Sequence, residues 1–127
     1  MKTNQILAIG FGMLTVCVII SAFGAHSLKN LLLRNNTKET FDLAARYLMY
    51  HSTGIVILGI VQQVKNGFDA HWPVKLMLLG TAIFCGTLFL LSLTNITWLG
   101  AITPLGGLCL IAAWAAAGWK VWKLKGE

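Results

Sequence analysis

Four apolar stretches, residues 6–25, 49–64, 74–93 and 105–122, take up most of this chain and leave only short polar segments between them. A helix needs roughly 20 mostly apolar residues to cross a hydrocarbon core of ~30 Å. The first, third and fourth stretches meet that requirement, with charge only near their ends at Lys75 and Lys120, where a long side chain can snorkel to the headgroups. The second is shorter, but its helical pattern begins upstream in "NTKETFDLAARYLMYH". With Thr37 as N-cap, one helix is expected over residues 38–65, about 40 Å long at ~1.5 Å per residue, with its first turns in the headgroup layer or beyond it. The expected fold is therefore all-α: one four-span membrane domain over residues 1–127, an integral membrane four-helix bundle with a long second helix and an apolar non-helical loop before the fourth.

Composition closes the alternative of a soluble domain. With 57% hydrophobic and 11% charged residues, the chain has too little polar surface to coat a particle in water. The basic start "MKTNQ" and the "AFGA" ending at Ala25 resemble a secretory signal, but the uncharged run is longer than a signal core and Phe23 stands where a small residue is needed. Residues 14–17 likewise miss a lipoprotein box at Val16, so the first stretch is read as a retained span. Cys17, Cys85 and Cys109 all fall inside apolar stretches, which argues for small buried side chains and against a disulfide scaffold or a thiolate metal site.

An even number of spans puts both termini on one side. That side holds Lys2, Lys65, Lys75, Lys120, Lys123 and Lys125, against Lys29, Arg34, Lys38 and Arg46 on the other, so both termini are expected in the cytoplasm. The net charge of +6 then reflects topology and attraction to anionic membrane lipids, the expected partners, rather than nucleic acid.

Three polar motifs converge on the opposite, outer side. His26 closes the first span in "SAFGAH". Arg46, Tyr47, Tyr50 and His51 open the second in "RYLMYH", where i,i+3 and i,i+4 spacing gathers them over little more than half the helix circumference. Tyr and Arg are ordinary at a membrane interface, but His51 lies deeper and is followed by Ser52 and Thr53, and polar groups at such depth usually face a bundle interior or a hydrated cavity. In "WLGAITPLGG", Thr103 and Pro104 suit the first turn of the last helix, with Thr103 as N-cap, and leave residues 96–102 without a regular span. The reading is a polar cap of His26, Arg46, Tyr47, Tyr50, His51, Thr103 and Pro104 that binds the outer end together and holds a lipid or quinone-like headgroup.

The motifs "SAFGAH", "RYLMYH", "FCGTLFLLSL" and "WLGAITPLGG", in this order, resemble the small bacterial membrane family catalogued as domain of unknown function 423, related to transmembrane protein 256. The resemblance covers nearly the whole chain and implies a four-helix multi-pass plasma-membrane protein without implying an activity. The family pattern has Ser-Gly-Ser and a Tyr where this chain has Cys85-Gly86-Thr87 and Phe89, so no hydroxyl role carries over to Cys85 or Phe89.

No catalytic constellation is visible: the serines lack a nucleophile context and the acids, Glu39, Asp42, Asp69 and Glu127, lie outside the apolar stretches. The expected function is that of a non-enzymatic accessory or membrane-stabilising protein, with no metal and no resident cofactor. A small transporter or proton-conducting element would use His26 and His51 as a relay, but it would lack the intramembrane acid such devices need. A haem protein would use the same two histidines as ligands. Glycines at positions 10, 54, 59, 80, 86 and 118 leave room for close packing within the chain, against a protein partner, or in a homo-oligomer.

Overall fold

The helices follow from a heptad-like burial pattern. On the longest helix Phe41, Ala44, Leu48, His51, Ile55 and Leu58 form a buried stripe in alternating steps of three and four, with Ser52, Gly54 and Gly59 buried beside it, and on the last helix Thr103, Gly106, Leu110, Ala113 and Ala117 follow the same rhythm. A repeat of 3.5 keeps one stripe facing its neighbours in left-handed helix packing. The remaining faces are as apolar as the core: Phe11, Val18, Leu108 and Ile111 are more than half exposed, and Trp122 is 84% exposed. Such a surface suits the apolar interior of a bilayer.

The computed structural model describes residues 1–125, so Glu127 lies outside the described residues. Helix α1 (Thr3–Ala25) leads into a short helix α2 (Lys29–Asn35), then α3 (Lys38–Val64), α4 (His71–Thr94), a 3-10 turn (Thr97–Ala101) and α5 (Thr103–Lys123). Four of these elements are long and apolar enough to cross a membrane, as expected, the last counted from Thr97 through the 3-10 turn. Helix α1 packs on α3, α3 on α4 and α4 on α5. Both termini and the loop at residues 65–70 share one end of the bundle, here the terminal end; the loops around α2 and the 3-10 turn share the other, the distal end.

Two of these seams are closed by glycine. A Cβ built on Gly10 would lie 2.5 Å from the Val56 side chain and 3.3 Å from the Ser52 carbonyl, which brings α1 against the backbone of α3. A Cβ on Gly106 would lie 2.5 Å from the Phe84 backbone nitrogen, and one on Gly80 would lie 2.9 Å from that of Leu110, so α4 and α5 touch backbone to backbone. Such contact replaces the hydrophobic drive that lipid does not supply. Gly86 and Gly118, expected to serve close packing as well, face open space.

Several sequence expectations change in detail. Helix α3 does start at Lys38 after Thr37, but the Thr37 hydroxyl does not cap it; it donates to the Ser92 carbonyl of α4 at 2.6 Å. The first turns of α3 pack within the bundle: Phe41 and Ala44 are buried, with Phe41 lying against Gly24 of α1 and edge-on to Phe89 of α4. The segment before α5 is a 3-10 turn rather than irregular loop, and Thr103 sits inside the first turn of α5 after Ile102, not at its cap. Helix α2 was not expected. It and α4 both end on an asparagine in the left-handed region, Asn36 at φ 55° and Asn95 at φ 59°, a short polar side chain tolerating what a helix C-terminus requires.

Candidate functional site

The distribution of hydrogen bonds sets the two ends of the bundle apart from its middle. At the terminal end, Gln62 donates to the Met1 carbonyl at 3.1 Å and to the Thr3 hydroxyl at 3.0 Å, and accepts from the Ala70 N–H at 2.8 Å. At the distal end, Thr37 and Asn35 donate to the last carbonyls of α4, and the Thr87 and Thr103 hydroxyls pair at 2.7 Å. These residues close both ends, and sequence reading missed Gln62, Asn35, Ser92 and Thr87 because a single polar residue in an apolar helix carries no pattern of its own.

Between the ends, α3 and α5 do not pack backbone on backbone; the Trp114 ring of α5 lies against Gly54 of α3. A groove of about 520 Å³ opens there, with Tyr47, Tyr50 and His51 of α3 on one wall, Gly107, Leu110, Ile111 and Trp114 of α5 on the other, and Phe84 of α4 below. Tyr47 stacks on Phe84 at 4.6 Å between centroids, and the His51 ring stands 6.0 Å from that of Trp114. Tyr47 and Tyr50, the two tyrosines of the chain, thus share one recess with its mid-span histidine.

His51 is 5% exposed, the inward orientation that its depth implied. Its Nδ1 lies 2.6 Å from the Tyr47 carbonyl oxygen. A carbonyl only accepts, so Nδ1 carries the proton, and in the neutral ring Nε2 is an acceptor. The helix itself fixes this tautomer, since donor and carbonyl are one turn apart. The site thereby offers an acceptor at Nε2, two phenol hydroxyls at Tyr47 and Tyr50, and aromatic faces.

The seven candidate residues fall in three places. Tyr47, Tyr50 and His51 line the groove, and Arg46 is exposed one turn from Tyr50 on the same helix. Thr103 is buried against Thr87, with exposed Pro104 beside it, a turn distal to Gly107 at the groove's rim. His26 is exposed at the end of α1, in a shallow recess with Ala22, Phe23 and Ser27. Because Gly24 of α1 meets Phe41 while Gly10 meets Ser52 and Val56, His26 and His51 stand roughly 18 Å apart along the bundle axis at ~1.5 Å per residue. They are neither a direct relay pair nor the two ligands of one haem. Among the described residues, no three His, Cys, Asp or Glu side chains gather as a metal set. Cys17 and Cys85 are buried, Cys109 is half-buried, and all three are free thiols.

The comparisons with known proteins agree with this architecture. The model of the family described as "Protein of unknown function (DUF423)" matches residues 20–107, which include every site motif. A UPF0382 membrane protein of Staphylococcus haemolyticus is 39% identical over 103 residues, covering 78% of this chain and 83% of that protein. The UPF0382 membrane protein YwdK of Bacillus subtilis is 35% identical over 115 residues, covering 87% and 83%. No solved structure matches. With four spans in place and the family model matched from the end of α1 into α5, the chain is a multi-pass membrane protein of the DUF423 family.

Proposed function

We propose that this protein is a non-enzymatic binding protein of the bacterial plasma membrane, with both termini cytoplasmic, which holds an amphiphile with a hydroxylated, ring-like head in the groove between α3 and α5. The observation that carries the reading is the groove itself. The α1–α3 and α4–α5 seams are closed by glycine, whereas α3 and α5, which meet where the Trp114 ring lies on Gly54, leave a space beside that contact lined by Tyr47, Tyr50, Phe84 and Trp114 around the His51 imidazole. Its volume of about 520 Å³ lies within the range of small-molecule sites, roughly 300–1,000 Å³. Two walls of spanning helices and a lateral opening suit a ligand that arrives from the bilayer.

The ligand's chemistry follows from the groups offered. Nε2 of His51 calls for a donor, such as a quinol or lipid hydroxyl, and the phenols can donate to a carbonyl or ether oxygen. The stacked Tyr47–Phe84 pair and the Trp114 ring favour a flat head. Arg46, on the same helical face as Tyr50, adds a cation near a head that carries negative charge. The charge bias of six lysines at the terminal end against four basic residues at the distal end supports the cytoplasmic orientation.

Mass spectrometry of the gently purified protein tests the binding claim. The wild type is expected to carry a quinone-like or hydroxylated lipid, and His51→Leu, which keeps the volume but removes the acceptor, is expected to lose it. Equal retention by both proteins, at matched helicity, would overturn the assignment. A cytoplasm-dependent reporter fused to the C-terminus tests orientation, and an inactive but well-expressed fusion would reverse it.

A further inference from the structure

The terminal end holds a second recess, chemically unlike the first. It measures about 400 Å³ and is formed by Gly67 and Asp69 of the α3–α4 loop with Trp119, Lys120, Lys123 and Leu124 at the end of α5. Gly67 adopts φ 83°, a left-handed turn that takes the loop back towards Leu124. Lys120 donates to the Asp69 carbonyl oxygen at 2.8 Å and reaches its carboxylate at 3.4 Å. Lys123 stands 4.7 Å above the Trp119 ring. One carboxylate and two ammonium groups thus line the recess, which keeps a net positive charge.

Its level in the membrane identifies the anion. Trp119 and Trp122 are 61% and 84% exposed on the last turns of α5, and Trp72 is exposed on the first turn of α4, with Lys75 at 5.4 Å over its ring. Exposed indoles with lysines beside them mark the headgroup layer. We propose that this recess binds the headgroup of an anionic phospholipid, with Lys120 and Lys123 on the phosphate, the Trp119 indole N–H as a further donor, and the acyl chains descending along α5. Basic recesses between membrane helices at the headgroup level suit this ligand class, and each lysine contributes a factor of about five in preference over a zwitterionic lipid. Asp69 does not oppose binding, because Lys120 already neutralises it, and Lys123 is left to meet the phosphate. The site is independent of the α3–α5 groove.

Native mass spectrometry of the full chain in detergent, with equimolar dioleoylphosphatidylglycerol and dioleoylphosphatidylcholine, tests the assignment. The wild type is expected to retain the anionic lipid in clear excess, Lys123→Gln to lose about fivefold of that preference, and Lys120→Gln/Lys123→Gln to approach parity. Among the described residues Lys123 makes no hydrogen bond or ion pair and stands over the Trp119 ring, so its variant reads the site even where loss of Lys120 loosens the loop. Lys75→Gln, at the same end but outside the recess, is expected to leave the preference unchanged. Equal retention of the two lipids by the wild type, or an equal loss from Lys75→Gln, would overturn the site in favour of diffuse charge attraction. Thermal stabilisation by millimolar inorganic phosphate as large as that given by the anionic lipid would overturn the lipid assignment in favour of a free anion.

Discussion

The α4–α5 seam and the α3–α5 gap are built from one helix, α5, yet they are opposites. Towards α4 the helix presents Gly106 and Leu110, and backbones come close enough that one added methyl group would collide with Phe84. Towards α3 it presents Gly107, Ile111 and Trp114; the Trp114 ring rests on Gly54, and the space distal to that contact is left open. The choice of small against bulky residues on neighbouring faces of one helix decides which neighbour it touches and which it leaves room beside. A gap kept open by large aromatic side chains around a buried, hydrogen-bonded histidine is a feature the fold maintains, because lipid-exposed helices otherwise gain by closing on small residues.

The largest expected effect breaks the closed side. Gly106→Leu forces a side chain into the Phe84 backbone and is expected to cost on the order of 3 kcal/mol or more, measured as a large fall in melting temperature in detergent or as failure to fold. Survival at wild-type stability would mean that α4 and α5 are not in backbone contact. Less severe is Thr87→Val, which removes the hydroxyl paired with Thr103 and leaves Thr103 only its long bond to the Leu99 carbonyl; about 1 kcal/mol of thermal stability is expected to go.

On the open side the same kind of change is expected to matter less for stability and more for binding. Tyr50 is 55% exposed, so Tyr50→Phe is expected to shift stability by a few tenths of a kcal/mol while reducing the ligand retained on purification. A stability loss as large as that of Thr87→Val would show the groove to be a packing element instead.

The smallest effect lies at Asp69, whose carboxyl is held below its ordinary range chiefly by the His71 backbone N–H, with Lys120 adding to the effect against partial desolvation. A depressed folded value means the contribution is present above the ordinary carboxylate range and disappears as pH falls through the folded value. Melting temperatures are therefore expected to drop slightly below that range in the wild type, and less in Asp69→Asn. Identical acid profiles would remove Asp69 from the terminal-end lock.

Much of the fold was legible because span length and burial rhythm are one-dimensional signals. The extension of α3 to Lys38 followed from the residues after Thr37, and the inward His51 from the cost of a polar group at depth. Helix α2 escaped because it is a single seven-residue element in which "LLL" between Asn30 and Arg34 fits no periodic template, even though Leu32 is buried. Thr37 and Thr103 were located but given the wrong bonds: each was read as a local cap, and each hydroxyl instead serves α4, a partner distant in sequence. The groove could not be read at all. It depends on α5 meeting α4 backbone to backbone through Gly106 while reaching α3 with the Trp114 ring against Gly54, and sequence spacing records no such choice of neighbour.

The central claim is that Nε2 of His51 is an acceptor waiting for a ligand in an open groove. Nitrogen NMR of the histidine-labelled protein in bilayers reads that atom directly, with His51→Leu used to assign the signal. At pH above the imidazole range the spectrum is expected to show a protonated Nδ1 and a bare Nε2 at His51, with the Nε2 resonance moving on addition of a short-chain benzoquinol and the exposed His26 and His71 resonances staying fixed. A proton on Nε2 in the free protein, or no response of His51 to the quinol while ligand enters the bilayer, would contradict the account.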